Sequence, residues 1–133
     1  MELQLKRPIC FFDLEATGTS VTKDRIVEIS ILKIFPNGNK ESRTWLVNPQ
    51  VEISEEVIAI HGITNEKVAN EPTFNELAHR ILDMIKDADL AGYNSNRYDI
   101  PLLVEEFLRA GIDFDMGKRV AVDIHNIFHK KEQ

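Results

Sequence analysis

Two carboxylates stand out for their spacing. In the stretch Pro8-Ile9-Cys10-Phe11-Phe12-Asp13-Leu14-Glu15 an apolar, aromatic run ends in Asp-x-Glu. The run is short and bounded by a turn, which predicts a buried strand. In a strand, residues i and i+2 point to one face, so Asp13 and Glu15 project together from a strand apolar enough to be central. Holding two like charges side by side out of water is expensive, and a divalent cation would remove that cost. Two hard oxygen donors suit Mg²⁺ or Mn²⁺ better than Zn²⁺. The plainer alternative is a strand that runs out into solvent with both acids exposed. The Thr17-Gly18 turn that follows weighs against it, because a tight turn presents backbone N–H groups beside the acids and suits an anionic phosphate. Asp99 is a third acid of interest, in Ala91-Gly92-Tyr93-Asn94-Ser95-Asn96-Arg97-Tyr98-Asp99-Ile100-Pro101. It reads either as a helix N-cap ahead of Pro101 or as a carboxylate brought to the first pair.

The elements that must position these groups follow from the pattern. Residues 25–35 (RIVEISILKIF) are β-branched and apolar, a second strand; Pro36-Asn37-Gly38-Asn39 has hairpin chemistry; residues 41–47 alternate and should pair back antiparallel. Ser54 can cap a short helix to about residue 60, which His61-Gly62-Ile63-Thr64 leaves. Thr73 and Glu76 form a capping box for a helix to about Lys86, with Phe74, Leu77, Ile81, Leu82 and Ile85 on its apolar face. Residues 89–93 predict a strand and residues 100–110 a helix, with Pro101 in its first turn and Gly111 as its stop. Residues 120–122 predict a fifth strand, and Asp123 caps a last helix to about His129. An antiparallel meander feeding a βαβ unit makes an α/β fold: a mixed five-stranded sheet with helices on its faces.

Composition bounds the rest. The chain has 133 residues, 43% of them hydrophobic and 29% charged, which excludes a disordered tail or a disulfide-stapled miniprotein. No apolar stretch approaches the ~20 residues that span a bilayer, the first residues lack a signal peptide's layout, and the lone Cys10 cannot form an internal disulfide. These features predict a cytoplasmic protein without a membrane partner. Sixteen Lys+Arg against 22 Asp+Glu give a net charge of −6. That argues against tight nucleic-acid binding by counterion release, but not against a small acidic metal site that meets phosphate through a cation.

FFDLEATG, IHGIT and AGYNSNRYDIPLL, in that order, resemble the DnaQ-like (DEDD) family of 3′–5′ exonucleases over about residues 8–130. The resemblance implies a ribonuclease-H-like fold and hydrolysis of phosphodiester bonds at the 3′ end of single-stranded DNA or RNA, releasing nucleoside monophosphates. It implies two Mg²⁺ or Mn²⁺ ions held by Asp13, Glu15 and Asp99, the catalytic carboxylates. It places Thr17 and Gly18 at the substrate end, His61, Ile63 and Thr64 near the terminal nucleotide, and Asn94 as a loop-fixing residue of the second motif. His61 reads equally as a helix C-terminal residue favoured by the dipole. The spacing of Asn94 to Asp99 is one residue longer than the commonest proofreading pattern and is closer to the exonuclease I version. A DNA polymerase subunit is a further partner that the resemblance raises; oligomeric state is left open.

The family's third motif, a His or Tyr base five residues before a fourth carboxylate, is not recognisable in the sequence. His125 and His129 have no carboxylate five residues on, and fit a helix terminus better. The expectation is one exonuclease-type domain over residues 1–133, incomplete at its C-terminus and nearly inactive as it stands. Two other readings compete. A haloacid-dehalogenase-type phosphatase would need Asp-x-Asp where this chain has Asp-x-Glu. A binding or scaffold domain could reuse the fold without catalysis.

Overall fold

The computed structural model describes residues 6–92, 98–114 and 121–123. Five strands form one sheet in the order β3-β2-β1-β4-β5, so the strand that carries Asp13 and Glu15 lies at its centre. β1 (Ile9–Ala16) pairs antiparallel with β2 (Ile26–Ile34) and parallel with β4 (Asp89–Gly92). β3 (Lys40–Leu46) closes the hairpin on β2, and β5 (Ala121–Asp123) runs parallel to β4. The mixed sheet is the one expected; β5 sits one residue later than the sequence suggests. The helix expected after Asp123 lies outside the described residues.

The hairpin turns as its residues dictate. Gly38 takes a φ of 90°, and the Asn39 N–H donates to Asn37 Oδ1. Along β1 the pleat sorts the side chains. Cys10, Phe12 and Leu14 are buried, whereas Phe11, Asp13 and Glu15 stand on the other face, as the period of two requires.

Two helices cover the Phe12 face. α3 (Phe74–Ile85, numbered after two short helices below) opens with the expected capping box, Thr73 and Glu76 bonding each other's backbone N–H. It buries Phe74, Leu77, Ala78, Ile81, Met84 and Ile85. α4 (Ile100–Arg109) buries Ile100, Leu102, Leu103 and Phe107. The Phe107 ring meets Phe74 edge-on at 5.2 Å and stacks on Phe114 at 5.1 Å, which joins the two helices. Each such buried ring contributes about 1.5–3 kcal/mol. Gly111, at a φ of 80°, follows α4 as its stop.

α1 (Glu55–His61) is capped by Ser54 and ends at Gly62, whose φ is 75°. A single turn of helix that the pattern does not announce, α2 (Asn65–Val68), follows it. Four residues are too few to show a period. Ile53, Ile63 and Val68 pack with Val27 in a second small core, and this seats the α1–α2 segment beside the start of β2. At the far end of β2, Lys33 points inward and is 5% exposed. Its Nζ donates to Met84 O and to Asp87 Oδ1, each at 2.7 Å. No helix of the described residues is long and apolar enough to cross a membrane.

Candidate active site

Asp13 and Glu15 leave the open face of β1 near its C-terminal end. Cross-strand, Asp13 faces Ser30 and Glu15 faces Glu28, and the register breaks after Glu15. Glu15 is therefore beset on two sides. Burial pushes its carboxyl above the ordinary range, Asp13 pushes it further, and Glu28 adds to both; only His61 pulls the other way. Like charges directly opposite on a sheet are destabilising. The sequence reading anticipated the Asp13–Glu15 repulsion but not Glu28, which alternation alone puts on the same face.

Asp99 occupies the N-cap position of α4 with helical backbone angles, and its side chain makes no capping hydrogen bond. Of the two readings left open by the sequence, capping is not what this carboxylate does. Instead Asp99 and Glu15 line one cleft of about 370 Å³. β1 and its turn contribute Glu15, Ala16, Gly18 and Thr19. α1 contributes Val57, Ile60 and His61, and the start of α4 contributes Tyr98, Asp99 and Leu102. The cleft is thus acidic at one end and apolar along its wall. Ile60, at its rim, is 81% exposed.

His61 is committed inside the protein. Its Nδ1 accepts the Ile63 N–H at 3.0 Å, which leaves the proton of the uncharged ring on Nε2, 3.2 Å from Ala16 O. The ring therefore ties the end of α1 to the end of β1 while lining the cleft.

Thr17, Ile63 and Thr64 each have partners within the fold. Thr17 Oγ1 donates to Asp24 Oδ1 at 2.9 Å and accepts the Arg25 N–H at 3.0 Å. The Thr17 N–H donates to Arg25 O, and that of Ser20 to Asp24 Oδ2. Those two amides are engaged within the turn. Ile63 is buried in the second core, and Thr64 Oγ1 caps α2 through the Lys67 N–H. Neither lines the cleft: both serve the segment that carries His61. Gly18 does line it. Asn94 lies outside the described residues, as do His125 and His129.

Among the described residues, no three His, Cys, Asp or Glu side chains stand close enough together to form a ready-made metal cage. The donor set still fits Mg²⁺ or Mn²⁺, which typically takes one or two carboxylates and completes its shell with water and substrate phosphate. Sequence reasoning missed Asp24 and Glu106, which shape the turn beside the cleft. Glu106 left a legible signal: it follows Leu103 by three residues on the apolar face of α4, where an acid is out of place.

An exonuclease family model matches residues 10–125. The chain is 30% identical over 111 residues to a DNA polymerase III PolC-type of Caldanaerobacter subterraneus subsp. tengcongensis, which covers 84% of this chain and 8% of that protein. It is 32% identical over 95 residues to the DNA polymerase III subunit epsilon of Treponema pallidum, 71% of this chain and 44% of that one. The chain thus spans less than half the length of these curated relatives. The structure of E. coli exonuclease I in complex with a dT13 oligonucleotide superposes with a TM-score of 0.84 at 19% identity, over 96% of this chain and 30% of that one. That likeness bears out the ribonuclease-H-like sheet. With nearly the whole chain inside the family model, and the Asp13–Glu15 strand with it, this protein belongs to the exonuclease family.

Proposed function

We propose that the chain is the carboxylate-bearing part of a 3′–5′ exonuclease that hydrolyses phosphodiester bonds at the 3′ end of single-stranded DNA or RNA. The observation that carries this reading is the Asp13–Glu15 pair. It is set against Glu28 and raised in proton affinity at Glu15, and Glu15 shares a cleft with Asp99. Carboxylates that repel one another until a cation joins them are the signature of a cation site.

Asp13 and Glu15 would hold two Mg²⁺ or Mn²⁺ ions, with Asp99 approaching from the α4 side. Such ions acidify a bound water and neutralise charge on the scissile phosphate and the leaving oxygen. Gly18 and Thr19 on one side, with Val57, Ile60 and Leu102 on the other, form an apolar slot that takes a terminal nucleoside while its phosphate meets the acids. His61 holds α1 at the end of β1 and so keeps that slot open at a fixed width. A polymerase subunit is a partner consistent with the likeness to epsilon.

The test is a divalent-ion titration followed by a nuclease assay on the 133-residue chain. Mn²⁺ should raise the melting temperature by mass action, and Asp13→Ala should abolish the rise. With 3′-labelled single-stranded DNA or RNA, release of mononucleotides should be slow, about 10²–10⁴-fold below that of an enzyme with a general base. It should vanish with EDTA and with Asp13→Ala. A melting temperature indifferent to Mn²⁺ would sink the reading in favour of a non-catalytic domain on the same fold.

A further inference from the structure

The cleft draws its acids from two elements, and something must hold these at a fixed spacing. Glu15 ends β1; Asp99 begins α4. Between them runs the turn that supplies Gly18 and Thr19 to the wall. This turn is folded around one side chain that does not line the cleft, Asp24. Its Oδ1 accepts the Thr17 hydroxyl at 2.9 Å and its Oδ2 accepts the Ser20 N–H at 2.7 Å. The carboxylate presses on Gly18 so closely that a Cβ there would lie 2.5 Å from Oδ2. Glycine at position 18 is thus explained by the acid beneath it.

α4 grips the same turn from its other end. Arg109 Nη2 donates to Thr22 O at 2.8 Å and to Val21 O at 3.5 Å, and Nη1 to Asp24 O at 3.1 Å. Arg109 is itself oriented by Glu106, whose Oε1 accepts from Arg109 Nη1 at 3.3 Å and from Arg25 Nε at 2.8 Å. Glu106 Oε2 accepts the Ile26 N–H at 3.0 Å. One polar chain therefore runs from the helix that carries Asp99, through Arg109, to Asp24 and the residues next to Glu15.

We propose that Asp24 and Arg109 are positioning residues of the acidic cleft: together they set the spacing between Glu15 on β1 and Asp99 on α4 that divalent-ion binding requires. This rests on the metal-site reading above. Neither residue meets the ion. Each acts through the turn, as outer partners of metal ligands generally do.

The test measures Mn²⁺ affinity by calorimetric titration on the full chain, alongside thermal melts and hydrogen exchange. Asp24→Asn keeps the shape against Gly18 but can accept only one of its two hydrogen bonds. Arg109→Lys keeps the charge but cannot span three carbonyls and a carboxylate. Both should melt cooperatively, lose protection at the Ser20 or Ile26 amide, and bind Mn²⁺ about 10- to 100-fold more weakly. The double variant should be scarcely worse than the weaker single, because both cut one chain of contacts. Met84→Ala, which leaves a cavity beside Cys10 and Lys33 at the other end of β1, is the control: it should lower stability and leave Mn²⁺ affinity alone. Wild-type affinity in both Asp24→Asn and Arg109→Lys would overturn this proposal while the metal site stands. A wild-type chain that binds no Mn²⁺, so that Asp13→Ala has nothing to remove, would overturn the metal reading and this proposal with it.

Discussion

Glu106 and Glu15 are both taken out of bulk water, and the fold treats them in opposite ways. Glu106 is 1% exposed, yet its carboxylate is answered by donors on both oxygens: two guanidinium groups and a backbone N–H. Glu15 is less buried and faces Asp13 and Glu28, with only His61 to offset them. A buried acid with donors holds a structure together. A half-buried acid among acids opposes the fold, and the chain carries that cost at the mouth of a cleft. The difference separates Glu106, a structural carboxylate, from Glu15, the one proposed to hold a cation, on physical grounds. Lys33 belongs with Glu106: it is buried and answered on both sides, by Met84 O and Asp87.

The largest effect should come from removing the satisfied acid. Glu106→Ala leaves Arg25 and Arg109 without their shared acceptor and the Ile26 N–H without one. Loss of one partner of a buried ion pair costs about 3–5 kcal/mol, which a urea melt would read directly. A loss under about 1 kcal/mol would place Glu106 with ordinary surface pairs and erase its contrast with Glu15. A smaller effect should follow from Gly18→Ala, in the wall between the two regions. Its new Cβ would push on the Asp24 carboxylate, and overpacking of this kind costs about 1–3 kcal/mol. Combining it with Asp24→Ala, which clears the space, should restore much of the loss that Gly18→Ala adds. Simple additivity would show that the close approach is not what requires glycine.

The two acids differ in how legible they are in the sequence. Strands β1 and β2 announce themselves by β-branched runs, and the period of two puts Asp13 and Glu15 on one face from their spacing alone. The Thr73–Glu76 box and Gly111 likewise bound α3 and α4 because capping is local chemistry. Glu106, Arg109 and Asp24 were not legible as a group. Their bonds join residues some 80 positions apart, and a charged residue on a helix ordinarily reads as a solvated face. Around Thr64 the motif marks a segment, and the fold adds that its hydroxyl caps α2 and that Ile63 enters a core. Asp99 went the other way. Its place before Pro101 suits a cap, yet its side chain makes no cap bond and lines the cleft with Glu15.

The smallest effect is the most pointed, because its sign is opposite to the others. Burial and the neighbouring acids raise the Glu15 carboxyl above its ordinary 4.5. Between its unfolded and folded values the folded chain binds more protons, so stability falls as pH rises through that window and the full cost is present above it. Asp87 behaves inversely. Burial raises it, but the hydrogen bond and charge of Lys33 outweigh that and hold it below 3.8. Its stabilising share is present above the unfolded value and is lost as pH falls through the folded one. Subtracting the melting curve of Glu15→Gln from that of the wild type, in EDTA between about pH 4 and pH 8, cancels Asp87 and leaves Glu15. At neutral pH the variant should be the more stable by on the order of 0.5 kcal/mol, about 2 °C, and the gap should close on acidification. Mn²⁺ should reverse the order, raising the wild type and leaving Glu15→Gln nearly unmoved. A variant less stable than the wild type in EDTA would mean that Glu15, like Glu106, is answered within the fold, and the distinction between the two acids would fail.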